Sequence, residues 1–272
     1  FVISDWEAVK QLIRQGVAET DEEAAIMALS AGLDMDMTDN FYVDNLEKSV
    51  RDGKLSEEII DTAVRRVLKV KDKLGLFDNP YAEHIDLPKQ EIRDAARKCA
   101  AESLVLLKND NNVLPLKKEE TICVMGSMAF DTANIVGSWT ADTDYSENVS
   151  AYEGLKAKSD NIIQYNCHTP ENHTMGNLKQ CDKILIVLGE AKAVTGEANS
   201  MAKTELTPAQ KFVIERAREA GKPVVGVLLF GRPIALENNA DYFDALIYAW
   251  HPGAQAGNAI ADILYGEASP SG

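Results

Sequence analysis

A carboxylate follows an apolar run at the very start of the chain. Residues 1–3 are apolar and mostly β-branched, which is typical of a buried strand, and Ser4-Asp5-Trp6 ends the run with polar and aromatic groups. Where helices surround parallel strands, the loops at the strands' carboxyl ends carry the active site, so Asp5 is placed to meet a ligand. The alternative is that Asp5 caps the helix beginning near Glu7, because Asp is among the commonest N-cap residues.

More carboxyl groups lie in the long segment 189–207. This segment is polar, contains glycine and follows an apolar run that predicts a strand. It is longer than an ordinary connection between two elements, and such loops usually have a function. Its glutamates are Glu190, Glu197 and Glu205. Taken singly, each of them is more often a solvated surface residue.

Composition excludes several classes of protein. The chain has 272 residues, of which 45% are hydrophobic and 26% charged, so it should bury a normal core. The net charge of −15 argues against a nucleic-acid partner, because phosphate binding needs a basic face. A neutral sugar is compatible with such a surface.

The cysteines and histidines form no metal-ligand pattern. There is no C-x-x-C pair among Cys99, Cys123, Cys167 and Cys181, so neither a zinc site nor a disulfide framework is expected. Cys123 in an apolar strand and Cys99 in a helix are predicted to be small buried hydrophobes. No apolar run reaches the ~20 residues that span a bilayer. The sequence does not distinguish a cytoplasmic protein from a periplasmic or secreted one.

The first third of the chain alternates a strand, a helix and a strand before two longer helices. A Thr-x-x-Glu capping pattern, Thr20 to Glu23, opens the second helix, and glycines end the helices. Strand, helix and strand together form one repeat of a βα barrel. The predicted helices are 7–15, 21–31, 41–52 and 56–74, and the second strand is 33–37.

The remainder predicts a different architecture. A polar, proline-bearing stretch at 79–88 marks a linker, and a helix at 89–102 follows it. Beyond it, strands that are apolar throughout are separated by helices, which argues for a parallel sheet covered on both faces. The predicted strands are 121–125, 161–165, 183–188, 223–229 and 245–250, and the helices are 152–158, 208–220 and 254–265. We therefore predict an α/β fold with a doubly wound second domain.

A succession of motifs resembles glycoside hydrolase family 3, and within it the bacterial β-glucosidases. Ser-Asp-Trp at 4–6 is followed, in the order of that family, by AGLDMDM at 31–37, AVRRVL at 63–68, LGLFD at 74–78, ESLVLLKN at 102–109 and GRP at 231–233. The ordered set spans nearly the whole chain and is far more specific than any one motif.

The resemblance implies roles for individual residues. Asp5 matches the nucleophile that attacks the anomeric carbon in a retaining mechanism, which places the two carboxyl groups roughly 5–5.5 Å apart. Glu197, by its spacing before Pro208, matches the general acid/base of exo-acting members, and we prefer it to Glu190, which matches the Gly-Glu of other members. Trp6 is expected either to stack on a sugar or to serve as a wall residue.

The resemblance also implies a domain plan and partners. Residues 1–78 correspond to the end of a (β/α)8-type barrel, 79–98 to a linker and linking helix, and 99–272 to an α/β sandwich domain. The family's Lys-His pair comes from earlier barrel strands that this chain does not contain. We therefore expect a missing barrel segment upstream and an inactive isolated chain. The expected substrate is an oligosaccharide or glucoside, with no cofactor, metal, nucleic acid or membrane.

The alternative functions are a nucleotide-binding module and a non-catalytic remnant. A nucleotide-binding module would use Gly253 to Gly257, but that stretch matches neither G-x-G-x-x-G nor a P-loop. A non-catalytic, sugar-binding remnant of the same family fits every motif except the need for a whole barrel. Trp139 and Trp250 are expected to pack in the core or loops, and His251 is expected to be structural.

Overall fold

The computed structural model describes residues 1–81, 89–140, 143–165 and 175–272, with no side chains described at 175–177. The chain divides into two compact units, Phe1–Asp86 and Leu87–Gly272. Cys167 and most of the predicted linker at 79–88 lie outside the described residues. The domain boundaries predicted at 78/79 and 98/99 stay predictions.

The first unit begins with two short extended segments rather than two full strands. A single parallel bridge joins Ile3 to Met35, so the strands predicted at 1–3 and 33–37 are each reduced to one bridged residue. A parallel pair is less stable per residue than an antiparallel one, and it needs further neighbours to form a regular ladder. Helices α1 (Ala8–Arg14) and α2 (Asp21–Ser30) connect the two segments, as predicted.

Side-chain caps begin α2 and the longest helix of this unit. Thr20 accepts a hydrogen bond from the Glu23 backbone N–H, but the Glu23 carboxylate returns to the N–H of Glu19 rather than to that of Thr20. Helices α3 (Phe41–Arg51) and α4 (Glu57–Lys73) follow, and the Ser56 side chain caps α4. A small core, to which α2 contributes Ala24, Ala25, Ala28 and Leu29, holds these helices together. On α4, Ala63 is the buried residue.

The described residues of the second unit form a six-stranded sheet. Its strands are β1 (Val105–Asn109), β2 (Ile122–Met125), β3 (Ile162–Gln164), β4 (Lys183–Gly189), β5 (Val224–Leu229) and β6 (Ala245–Tyr248). Their order in the sheet is β1-β6-β5-β4-β2-β3, with β1 antiparallel to β6 and every other pair parallel. Strands β2, β4, β5 and β6 are buried along nearly their whole length, which confirms a mostly parallel sheet covered on both faces.

Helices cover the two faces of this sheet with two separate hydrophobic cores. They are α5 (Lys89–Ser103), α6 (Ala151–Lys156), α7 (Met175–Gln180), α8 (Pro208–Glu219) and α9 (Ala256–Leu264). Capping boxes begin α6 at Ser150 and α8 at Thr207. The sequence predicted all of these helices except α7. The fold class is α/β, with a doubly wound second unit, as predicted.

The cysteines differ in environment. Cys123 lies fully buried in β2, as predicted, and Cys181 is buried just before β4. Cys99 is exposed, so its predicted burial is wrong. It lies on the outer surface of α5, whose buried residues are Ala100 and Ala101.

Candidate active site

Asp5 lies where the first extended segment leaves its bridge. The buried hydroxyl of Ser4 accepts the Met37 backbone N–H at 2.7 Å, and the Ser4 N–H donates to the Met35 carbonyl at 2.9 Å. These two bonds fix the backbone on the N-terminal side of Asp5. The Asp5 carboxylate is exposed and accepts a hydrogen bond from the Trp6 N–H at 2.7 Å. The nucleophile candidate is therefore held by its neighbour's backbone and open to a ligand.

Asp5 does not cap α1. The N-cap is Glu7, which has a left-handed backbone (φ 52°) and makes no side-chain capping bond. The Glu7 N–H instead donates to the Met37 carbonyl at 3.3 Å, and the hydroxyl of Thr38, also left-handed (φ 71°), is 3.4 Å away. Non-glycine residues in this conformation are strained and cluster at functional sites. The capping explanation of Asp5 is therefore wrong.

Two further aspartates lie beside the same segment. Asp34, whose side chain is 1% exposed, accepts the Val2 N–H and the Arg66 guanidinium, each at 2.9 Å. Burial opposes ionisation, but these two hydrogen bonds outweigh it and lower the pKa of Asp34. Burial, with the Asp39 carboxylate nearby, raises the pKa of Asp36 instead. The alternation Leu-Asp-Met-Asp-Met is the feature of the sequence that marks both aspartates. Neither was among the predicted site residues.

In the second unit, Glu190 follows β4 directly and forms a buried ion pair with Arg232. The Arg232 Nε lies 3.2 and 3.1 Å from the two Glu190 oxygens, and Nη2 lies 3.1 Å from Oε2. The side chains of Glu190 and Arg232 are only 9% and 18% exposed. Both oxygens of the Glu190 carboxylate therefore contact a permanent cation.

Tyr248 and His251 lie next to this ion pair. Burial, reinforced by the Glu190 carboxylate, raises the pKa of Tyr248 to about 12, and its hydroxyl donates to the Arg232 carbonyl. Burial lowers the pKa of His251 and outweighs the opposing effect of Glu190. His251 Nε2 is buried and has no hydrogen-bond partner among the described residues. A largely neutral imidazole at pH 7 follows from that environment.

Polar contacts hold the segment after Glu190 in place. The Lys192 N–H donates to Asn134 Oδ1 at 3.0 Å. The Lys192 ammonium donates to the hydroxyls of Thr140 and Tyr145, at 2.8 and 2.7 Å, and lies 5.0 Å from the centre of the Tyr145 ring. The hydrogen bond from Lys192 lowers the pKa of Tyr145. The chain leading to Glu197 is thus fixed at both the main chain and the side chain of Lys192.

Glu197 is exposed and lines a cavity of about 360 Å³ together with Trp139, Lys192 and Asn199. Its two neighbours in the chain, Gly196 (φ 121°) and Ala198 (φ 60°), both have positive φ. A side chain at position 196 would meet the Ser138 hydroxyl at 2.3 Å, so only glycine fits there. Glu197 therefore projects from a sharply turned, closely packed stretch of backbone.

Sequence reasoning missed the aromatic group at this cavity. Trp139 is 81% exposed, so the expectation that it packs in the core or a loop is wrong. Its position in the glycine-containing loop that follows β2 was the available signal, because such loops lie at the carboxyl edge of a parallel sheet. Trp250 fits its predicted packing role better, since its ring lies 4.6 Å from that of Tyr248. Trp6 is 69% exposed.

The predicted site residues belong to different units. Asp5 and Trp6 lie in the first unit, and Glu190 and Glu197 lie in the second. Among the described residues, no group of three or more His, Cys, Asp or Glu side chains is arranged to hold a metal ion. No helix in this part of the chain is long and apolar enough to cross a membrane.

A βα unit whose first extended segment ends on Ser-Asp-Trp precedes a mostly parallel α/β sheet, and solved structures with this arrangement of elements are barrel-plus-sandwich glycosidases. The glycosyl hydrolase family 3 N-terminal domain matches residues 1–70, and the family 3 C-terminal domain matches residues 104–272. The chain belongs to glycosyl hydrolase family 3.

Curated relatives and a solved structure match nearly the whole of this chain. The chain is 34% identical to a periplasmic beta-glucosidase of Salmonella typhimurium over 99% of its own length and 40% of the relative's. It is 30% identical to a beta-xylosidase of Formosa agariphila over 100% of its length and 42% of the relative's. The crystal structure of a beta-glucosidase from Listeria innocua in complex with glucose superposes with a TM-score of 0.90 and 35% identity, over 98% of this chain and 38% of the other. The chain thus spans about 40% of the length of these relatives.

Proposed function

We propose that this chain supplies both catalytic carboxyl groups of a retaining glycosidase that hydrolyses terminal β-D-glucosidic bonds in oligosaccharides or glucosides. The observation that carries the proposal is the open Asp5 carboxylate at a fixed strand end, in a chain similar to beta-glucosidases across nearly its whole length. The beta-glucosidase structure determined with glucose supports glucose as the sugar. Similarity to a beta-xylosidase makes a terminal xyloside the second candidate substrate.

The proposed reaction has two displacements. An Asp5 oxygen attacks the anomeric carbon while Glu197 gives its proton to the leaving glycosidic oxygen, which produces a covalent glycosyl-enzyme and a free alcohol. Glu197, now a carboxylate, takes a proton from water, and the resulting nucleophile releases the sugar from Asp5 with the original β configuration. Both displacements invert the anomeric carbon, so the net result is retention.

The contacts of the two glutamates favour Glu197 over Glu190 as the acid/base. A general acid must carry a proton and reach the leaving oxygen. Glu190 is buried against Arg232 through three contacts of 3.1–3.2 Å, which occupy both of its oxygens and leave little of it accessible. Glu197 is exposed in a cavity that has room for part of a substrate.

Two exposed tryptophans supply apolar surface for sugar rings. Trp6 is next to Asp5 in the chain, and Trp139 lines the Glu197 cavity. Aromatic faces suit the C–H surface of a pyranose, while their edges leave its hydroxyls free to bond. We assign Trp6 to the sugar that Asp5 attacks, because the two residues adjoin in the chain, and Trp139 to the part of the substrate that enters the cavity lined by Glu197.

The proposed activity requires a complete barrel. Within the first unit, the described residues contain one parallel bridge, whereas a closed barrel needs eight paired strands. We propose that the 272-residue chain alone is inactive and that its sites act within an enzyme that also contains the remaining barrel strands.

The nucleophile is tested in such an enzyme by Asp5→Ala, with Asp44→Ala on α3 as the control. Loss of the nucleophile should lower kcat on a 4-nitrophenyl β-glucoside by at least about 10⁴-fold, as for other nucleophile deletions. The control should stay near wild type, because Asp44 is an exposed helix residue. A 2-fluoroglucoside should label Asp5 in the unsubstituted enzyme, as read by peptide mass spectrometry. Near-normal turnover by Asp5→Ala, or a label on another residue, removes Asp5 from the mechanism.

The acid/base is tested by Glu197→Ala. Without a proton donor, cleavage of an alkyl glucoside should slow by about 10²–10⁴-fold, whereas a nitrophenyl glucoside, whose leaving group needs little protonation, should form the glycosyl-enzyme nearly normally. Azide should then accelerate the second step and yield a β-glycosyl azide, because it needs no general base. Absence of both effects excludes Glu197.

A further inference from the structure

One guanidinium joins the two ends of the segment that carries Glu197. Arg232 binds both oxygens of Glu190, where the segment begins, at 3.1–3.2 Å. Its Nη1 also donates to the Lys203 carbonyl at 2.8 Å, near the segment's other end. Three of its nitrogens therefore make polar contacts. Through them, this single side chain binds both ends of the 190–203 stretch.

Arg232 is itself held rigidly. It follows β5 by three residues, and its carbonyl accepts the Tyr248 hydroxyl at the end of β6. Just before it, a side chain at Gly231 would lie 2.4 Å from the Thr195 hydroxyl and 2.8 Å from the His251 ring. The segment thus packs directly on the backbone that carries Arg232. The position of Arg232, in turn, is set by β5 and β6.

The backbone at Glu197 needs such an anchor. Ala198 has a left-handed conformation (φ 60°), which is unfavourable for a residue with a side chain, and Gly196 has φ 121°. A strained turn persists only where the surrounding structure imposes it. Contacts on both sides hold this stretch, among them those at Lys192, the bond from Arg232 to the Lys203 carbonyl, and the backbone bond from Ala235 to the Thr204 carbonyl.

We propose that Arg232 is a positioning residue for Glu197, and that it acts by joining Glu190 to the Lys203 carbonyl so that the acid/base carboxyl keeps its catalytic position. The proposal rests on the acid/base role proposed for Glu197. Arginine is suited to this task because its planar fork contacts a carboxylate through two nitrogens and still reaches a third acceptor, whereas a lysine ammonium is a single point.

The experiment compares Arg232→Gln and Arg232→Lys with the control Arg218→Gln in the barrel-containing enzyme. Arg218 lies on α8 in the same unit and makes one contact of 3.3 Å, to Asp244, at a 40% exposed side chain. For each variant, kcat/KM is measured on an alkyl and on a 4-nitrophenyl β-glucoside. Misplacing the acid by about 1 Å should cost the alkyl glucoside about 10²-fold, while the nitrophenyl glucoside should change little.

The ratio of the two rates separates positioning from folding. A variant that merely folds less well loses both activities by the same factor, so an unchanged ratio in Arg232→Gln overturns the proposal. Arg232→Lys should give an intermediate ratio, because it retains the charge without the fork. If Glu197→Ala lacks its own leaving-group dependence, the proposed function fails and this inference fails with it. If Glu197→Ala shows that dependence and Arg232→Gln does not, the inference alone fails.

A second measurement needs only the 272-residue chain. Hydrogen exchange of peptides covering 190–207, and tryptic cleavage after Lys203, report how firmly the segment is held. Arg232→Gln should accelerate both by at least about tenfold relative to peptides from α9, and Arg218→Gln should not. Unchanged exchange and cleavage would show that Arg232 does not hold the segment, whatever the kinetics of the larger enzyme.

Discussion

Glu190 and Glu197 lie seven positions apart on one segment, yet their neighbours suit them to different tasks. Glu190 is held by a cation that never loses its charge, and Glu197 projects into a cavity beside an exposed indole. Sequence reasoning named both residues and preferred Glu197 on spacing alone. It could not assess their surroundings, because the partner of Glu190 lies 42 positions away, in the loop after β5.

Azide chemistry distinguishes the two glutamates. Glu190→Ala should reduce kcat by loosening the segment, but it leaves the Glu197 carboxylate in place as base for the second displacement. We therefore expect far less acceleration by azide and far less β-glycosyl azide from Glu190→Ala than from Glu197→Ala. Product analysis by NMR checks this. A β-glycosyl azide formed by Glu190→Ala, and not by Glu197→Ala, would exchange the two roles.

At the level of helices and strands, the sequence predicted most helices and the buried strands of the second unit well, and the two short strands of the first unit poorly. Strands β2, β4, β5 and β6 are apolar throughout and were placed within one or two residues. The predicted strands at 1–3 and 33–37 are present only as one bridge, because a short parallel pair without further neighbours forms no ladder. The exposure of Trp139 could not be predicted from the sequence pattern, since burial depends on which loops come together in space.

Asp262 of α9 joins three parts of the second unit. Its carboxylate binds Arg97 of α5 and, at 2.7 Å, the ammonium of Lys158 just after α6. Burial opposes ionisation of Asp262, but the hydrogen bonds from Arg97 and Lys158 outweigh it and lower its pKa. A carboxyl whose pKa is lower in the folded state stabilises the fold above its unfolded pKa of about 3.9, and that contribution disappears as the pH falls through the folded value.

The variant Asp262→Asn should therefore lower the free energy of unfolding at pH 7 by about 2 kcal/mol, the size of a charged hydrogen bond. The deficit should narrow steadily below about pH 4, where the wild-type carboxyl also becomes protonated. Urea unfolding followed by circular dichroism measures both values. Asp160→Asn, at an exposed position, is the matched control and should change stability by less than about 0.5 kcal/mol. An equal deficit at pH 7 and pH 3 would mean that packing, not charge, accounts for the loss.

At the scale of the whole molecule, the two units differ in how well they cover their own apolar surface. The sheet of the second unit is enclosed by helices on both faces, with two extensive cores. In the first unit, Phe1, Val2, Ile3 and Trp6 are 44–69% exposed, and no further strand among the described residues of this unit pairs with the backbone around the Ile3 to Met35 bridge. Unpaired extended backbone next to apolar side chains is a template for association.

The 272-residue chain, expressed alone, should therefore associate and lack glycosidase turnover, while its second unit folds. Light scattering after size exclusion should show species larger than the 29.8 kDa monomer, and hydrogen exchange should be slow in β4, β5 and α9. Replacing Val2 and Ile3 with threonine should reduce association, because threonine keeps the β-branched shape and removes apolar surface. Val43→Thr, at an exposed helix position outside the two bridged segments, should not. A monodisperse monomer that hydrolyses a β-glucoside would contradict the requirement for further barrel strands, because such a chain would hold a complete active site by itself.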